Sequence, residues 1–149
     1  MKINKKFFGW IAGSLALFSV SVIPALGADG DPDAKQDARN AAAIAKLKEH
    51  KQVSLLYVKG MTWKSCAIGV RVKLKKLKFV DTKRYSSGVD MDIKTQLLTL
   101  ALKPGQKPND GLIAQSVWNA GYEAIERYVI EAGKLKSYPY PKLKEWRME

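Results

Sequence analysis

One cysteine occurs in the chain, Cys66, within the stretch Lys59-Gly-Met-Thr-Trp-Lys-Ser-Cys-Ala-Ile-Gly-Val70. It opens a helical pattern directly after a glycine-containing loop. The amides of a helix N-terminus place partial positive charge near the sulfur, and Lys64 adds a cation. Both favour the thiolate, the form that binds soft metals and attacks disulfides. Met61, in the same loop, offers a thioether. Thiolate and thioether together suit Cu(I) and suit Mg or Ca poorly. A competing role for Met61 is to pack beneath the loop as a core residue. Trp63 stands three positions before Cys66, where a second thiol would complete a metal clamp.

The remaining reactive side chains form no comparable set. His50 is the only histidine, but it precedes the first predicted strand while Cys66 follows it. A strand of that length spans roughly 20 Å, so His50 reads as a helix C-terminal residue and not as a ligand. No Cys-x-x-Cys-His is present, which excludes covalent haem. Neither a His/Asp set for hydrolysis at Cys66 nor a glycine-rich phosphate loop occurs, so no enzyme is expected. A lone cysteine cannot form an internal bridge. It is a free reactive thiol, half of an intermolecular pair, or a buried inert residue.

The 149 residues carry a formal net charge of +12. Residues 1–28 read as an export signal: Lys2, Lys5 and Lys6 precede the apolar run 7–23, Pro24 breaks it, and small residues follow at 25–28. The expected compartment is the periplasm, with no stable membrane insertion after cleavage. The run is near the lower length limit for spanning a bilayer, which keeps an uncleaved anchor as the alternative. No cysteine lies near the cleavage point, excluding a lipid anchor there. Removing the three signal lysines lowers the charge by three and leaves a basic chain. Export and the lack of interleaved aromatic and basic residues argue against nucleic acid. An anionic membrane surface, an acidic partner or plain solubility remain.

The elements that must position Cys66 follow from periodicity. With Asp33 as N-cap, residues 34–48 predict a helix with a shallow alanine stripe. Residues 53–58 read as a strand ending at Gly60. Residues 66–77 predict an amphipathic helix through Ala67, Val70, Leu74 and Leu77, with the Ser65 hydroxyl as cap. Residues 89–93 and 97–102 form two strands joined as a hairpin across 94–96, the first starting late or bulged after the turn-rich stretch 81–88. A second amphipathic helix through Leu112, Ile113, Val117 and Ala120 is capped by Asn109 or Asp110 and stopped by Gly121. Residues 122–130 give a last strand, and the tail 131–149 reads as an irregular extension. This order, strand-helix-strand-strand-helix-strand, predicts an α+β, ferredoxin-like βαββαβ sandwich with both helices on one face of an antiparallel sheet. The expected divisions are 1–28 signal, 29–52 N-terminal helical extension, 53–130 sandwich domain and 131–149 tail.

At these residues the chain resembles a known family. Gly60-Met61-Thr62-Trp63-Lys64-Ser65-Cys66 resembles the Gly-Met-Thr-Cys-x-x-Cys loop of heavy-metal-associated domains, among them periplasmic mercuric-ion-binding proteins and copper-chaperone domains. Residues 89–100 are similar to that family's second and third strands, and Ala120-Gly-Tyr-Glu-Ala124 to the Gly-Tyr loop that approaches its metal. The resemblance covers about residues 53–129. It implies a metal site at Cys66, with Met61 as the loop methionine and Tyr122 as the neighbouring aromatic. It also implies binding of Cu(I) or Hg(II). The departure is Trp63, which occupies the position of the first metal cysteine and removes half the first coordination shell.

Three readings are therefore open. Cys66 binds one soft metal ion, helped by Met61, by the ring face of Trp63, by an external ligand, or by a second Cys66 in a homodimer. Alternatively the fold serves as a metal-free recognition module or subunit with Trp63 as an exposed contact. In the third reading Cys66 is a redox thiol forming mixed disulfides. Residues 71–84 hold seven Lys/Arg against one acid, Asp81. Four of these lysines are assigned to the helix that begins at Cys66. The run is either a solvated face or a docking surface for an acidic partner such as a metal transporter's soluble domain. Finally, Leu55 and Tyr57 face opposite to Leu56 and Val58, and Leu97 opposite to Leu98 and Leu100. Both sheet faces are partly apolar, so the helix 34–48 or the Tyr-Pro tail should cover the second one.

Overall fold

The computed structural model describes residues 34–62 and 64–143. The predicted signal, the Asp33 cap and Trp63 lie outside the described residues. The architecture is α+β: α1 (Gln36–Glu49), β1 (Val53–Lys59), α2 (Cys66–Leu74), β2 (Val89–Asp92), β3 (Leu97–Ala101), α3 (Asp110–Trp118), β4 (Glu123–Glu131) and β5 (Lys134–Pro139). The strands form one antiparallel sheet in the order β2-β3-β1-β4-β5. The five-stranded sheet with three helices is compatible with a ferredoxin-like fold. Among the described residues no helix is long and apolar enough to cross a membrane.

Alternation along the strands builds two cores. Leu56, Val58, Leu98 and Leu100 pack on one face against Val70 and Leu74 of α2 and Ile113 and Val117 of α3. On the other face Leu55, Tyr57, Leu97 and Tyr128 pack beneath Ala43 of α1. The expected cover on the second face is therefore α1. Its alanine stripe buries little surface, so polar anchoring adds to the packing. Arg39, only 3 % exposed, lies with Cζ 3.5 Å from the Tyr57 ring centroid. Its guanidinium donates to the carbonyls of Ala34 (2.8 Å) and Thr95 (3.2 Å) and to Gln96 Oε1 (3.4 Å). A sequence reading that treats arginine as surface misses this residue entirely; the cation is buried because carbonyls and an aromatic face replace its water.

Three expectations need correction. The helix after the thiol ends at Leu74 instead of Leu77, so Lys75, Lys76 and Lys78 lie beyond it. The last turn tightens through Lys76 N to Lys73 O and Leu77 N to Leu74 O, and the chain then turns inward to bury Phe79 and Val80. The N-terminal helix starts at Gln36, not residue 34, with Lys35 at its cap position. The tail is not wholly irregular, because β5 pairs with β4 from Glu131↔Lys134 to Glu126↔Pro139. The connecting residues Ala132 (φ 49°) and Gly133 (φ 75°) both have positive φ, as a two-residue hairpin turn requires. Alanine rarely takes that conformation, which hid the turn in the sequence. After β5 the chain crosses to the helix face, where Tyr140 N donates to Ile125 O and the ring is buried.

Candidate functional site

The thiol loop is set by the end of β1. The β1–β4 register shifts between Tyr57 and Val58, and Gly60 turns the chain with φ +80°. Thr62 N donates back to Gly60 O at 3.1 Å. The loop then enters α2 through residues 64 and 65, with Cys66 as the first helical residue.

Ser65 does not cap α2 with its hydroxyl. Its backbone is already helical (φ −66°, ψ −29°), and no side-chain cap bond forms. Carbonyls do that work instead: Ala67 N donates to Lys64 O (3.3 Å) and Ile68 N to Ser65 O (3.1 Å). Two first-turn amides are thus engaged within the loop. They are not the free donors beside sulfur that the sequence suggests.

Cys66 is half-buried at the edge of the helix-face core, and Lys64 is exposed beside it. Met61 is fully buried in that core together with Val70 and Val117. Its thioether fills the packing role, and reaching a surface ion would empty a core position. His50 closes α1, its amide donating to Lys46 O at 2.9 Å and its ring standing edge-on to Tyr85.

The Gly-Tyr loop meets the thiol loop. α3 is capped by Asn109, whose Oδ1 accepts from Leu112 N at 3.0 Å, and it runs down to Gly121 (φ +87°). Tyr122 N then donates to Val117 O, fixing the ring's starting point. A Cβ on Gly60 would meet Tyr122 Cδ1 at an ordinary contact distance of 3.9 Å, so the ring lies over the loop, and it is the φ of +80° that calls for glycine here. The Tyr122 hydroxyl lies beside the Cys66 side chain, and that neighbour, with partial burial, pushes the phenol up to about 12. Cys66 and Tyr122, far apart in the chain, therefore form one polar pair.

Around the pair lies exposed apolar surface that the sequence pattern hides inside helices. Ile68 is 62 % and Trp118 41 % exposed. Trp118 and Tyr122 border a cavity of about 400 Å³ together with Lys59 and Gly60. A second cavity of about 430 Å³ runs from Trp118 to Tyr140 and Leu143. Among the described residues no group of three or more His, Cys, Asp and Glu stands ready to hold a metal ion. No protein-family model, curated protein or solved structure matches the chain.

Proposed function

We propose that the chain is an exported, ferredoxin-like domain of the heavy-metal-associated type that binds one soft ion, Cu(I) or Hg(II), through Cys66. The observation that carries this reading is the half-exposed thiol at the start of α2, with the Tyr122 hydroxyl beside it at the meeting of two loops. Tyr122 holds the sulfur at the surface, and the buried Met61 supports the loop from below without ligating. Two-coordinate soft ions need a second donor, so the domain binds metal in company: a partner's thiol or a second copy's Cys66 completes the site. A single-donor site of this kind suits hand-over to or from a metal transporter, since neither partner holds the ion alone. The exposed lysines 64, 73, 75 and 76 are suited to an acidic partner surface.

The test is native mass spectrometry of the reduced protein titrated anaerobically with Cu(I) and Hg(II) against a competing chelator. The expected result is one ion per two thiols, retained by the native protein and lost in Cys66→Ser. Absence of retention by the native protein, both alone and with a small external thiol added as second donor, overturns metal binding. A second reading is favoured by the exposure of Ile68 and Trp118 beside the loop. In that reading the same surface, with Trp63, recognises a partner protein and no metal takes part. Partner capture that survives both chelator and Cys66→Ser would select it.

A further inference from the structure

At the opposite end of β1 from the thiol loop, the structure holds a cavity of about 530 Å³. We propose that it binds a small amphipathic carboxylate, an anion with a hydrocarbon body. Its walls come from the end of α1, the start of β1, the loop before α3, β4 and the turn after it, so the site depends on α1 lying against the sheet. Lys48, Lys51 and Arg127 line it and no acidic residue does. Arg127 Nε is engaged by Asp110 at 3.2 Å, which offsets that charge. Neither Lys48 nor Lys51 has an ion-pair partner among the described residues, so they supply the surplus positive charge.

A further feature points to a ligand. Leu47, Val53, Pro108 and Ile130 make the remaining wall apolar. An inorganic anion would leave most of this volume empty, whereas a carboxylate with an alkyl chain fills the apolar part and reaches the lysines. The site shares no lining residue with the Cys66 loop, and its occupation is independent of the metal reading.

The probe is decanoate, titrated calorimetrically into the full-length protein, with decanol and inorganic phosphate as controls. Saturable one-to-one decanoate binding is expected, with decanol and phosphate each weaker by about tenfold or more because each lacks one half of the recognition. Lys48→Glu/Lys51→Glu, both exposed positions, should weaken decanoate binding by at least about tenfold at unchanged melting temperature. Amide shifts in the native protein should centre on residues 47–54 and 127–133. Equal binding of decanol, shifts centred elsewhere, or no saturable binding would each overturn the proposal. The shift map decides the matter even if the double variant folds poorly.

Discussion

At the residue scale, Cys66 and Tyr122 behave as one unit. The neighbouring Cys66 is the first cause of the raised Tyr122 ionisation, so Cys66→Ala should move it from about 12 back toward 10.0. Tyrosine Cζ carbon NMR across an alkaline titration reads this directly, and an unmoved Tyr122 would separate the two groups. Met61 has a different job, and its substitutions should show it. Met61→Leu should cost under about 1.5 kcal/mol and leave soft-metal retention intact, while Met61→Ala should cost about 2–4 kcal/mol. Loss of retention in a stable Met61→Leu protein would restore the thioether as a ligand. Tyr128 provides a pH signature of the second core. Burial, then the Glu126 hydrogen bond, raises its phenol to about 12. The folded form keeps its proton where the unfolded chain has lost it. This stabilisation is complete below about pH 10 and disappears as pH rises through 12, and Tyr128→Phe should flatten that part of the alkaline unfolding profile.

At the element scale, two devices attach the pieces outside the four-stranded centre. Arg39 anchors α1 to the β2–β3 turn, where Gln96 accepts from Ala34 N and from the guanidinium. Arg39→Ala should destabilise by about 2–4 kcal/mol and expose α1 to limited proteolysis before the rest of the chain, since several charge-assisted hydrogen bonds and a ring contact go together. The β4–β5 turn carries an alanine at φ 49°. Ala132→Asn should raise stability by about 0.5–1 kcal/mol in chemical denaturation, because asparagine tolerates the left-handed region. A lowered midpoint would mean that the turn is not strained. β5 was illegible because Ala-Gly is a poor advertisement for a hairpin, and its lysines and proline resemble a loop. The same residues suit an exposed edge, where charge and proline discourage pairing with another chain.

On the scale of the whole molecule, the sheet is covered on both faces, unlike a two-layer sandwich with one open side. Without α1, Leu55, Tyr57, Leu97 and Tyr128 would face water as one patch. Removing residues 34–50 should therefore lower the melting temperature and promote aggregation. A truncated protein that melts and dissolves like the native chain would overturn α1's role as a cover. The basic character is also distributed unevenly: Lys73, Lys75 and Lys76 are exposed at the end of α2, while Arg39 is buried and paired with carbonyls. Net charge alone does not distinguish a docking face from a structural cation.

The order of elements from α1 to β4, the two-faced alternation of β1 and β3, a cap at Asn109 or Asp110 and the helix-end place of His50 were determined by local sequence, because periodicity and capping are short-range properties. The candidate site was legible as far as its members, Cys66, Met61 and Tyr122, since each sits in a recognisable local pattern. Tertiary structure decided their surroundings. It buried Met61 in the core, set Tyr122 beside Cys66 and gave the first-turn amides to loop carbonyls. It also laid α1 on the second face and drew β5 to the sheet edge. These outcomes depend on which distant groups compete for each hydrogen bond and each buried volume, and that competition exists only once the chain has folded.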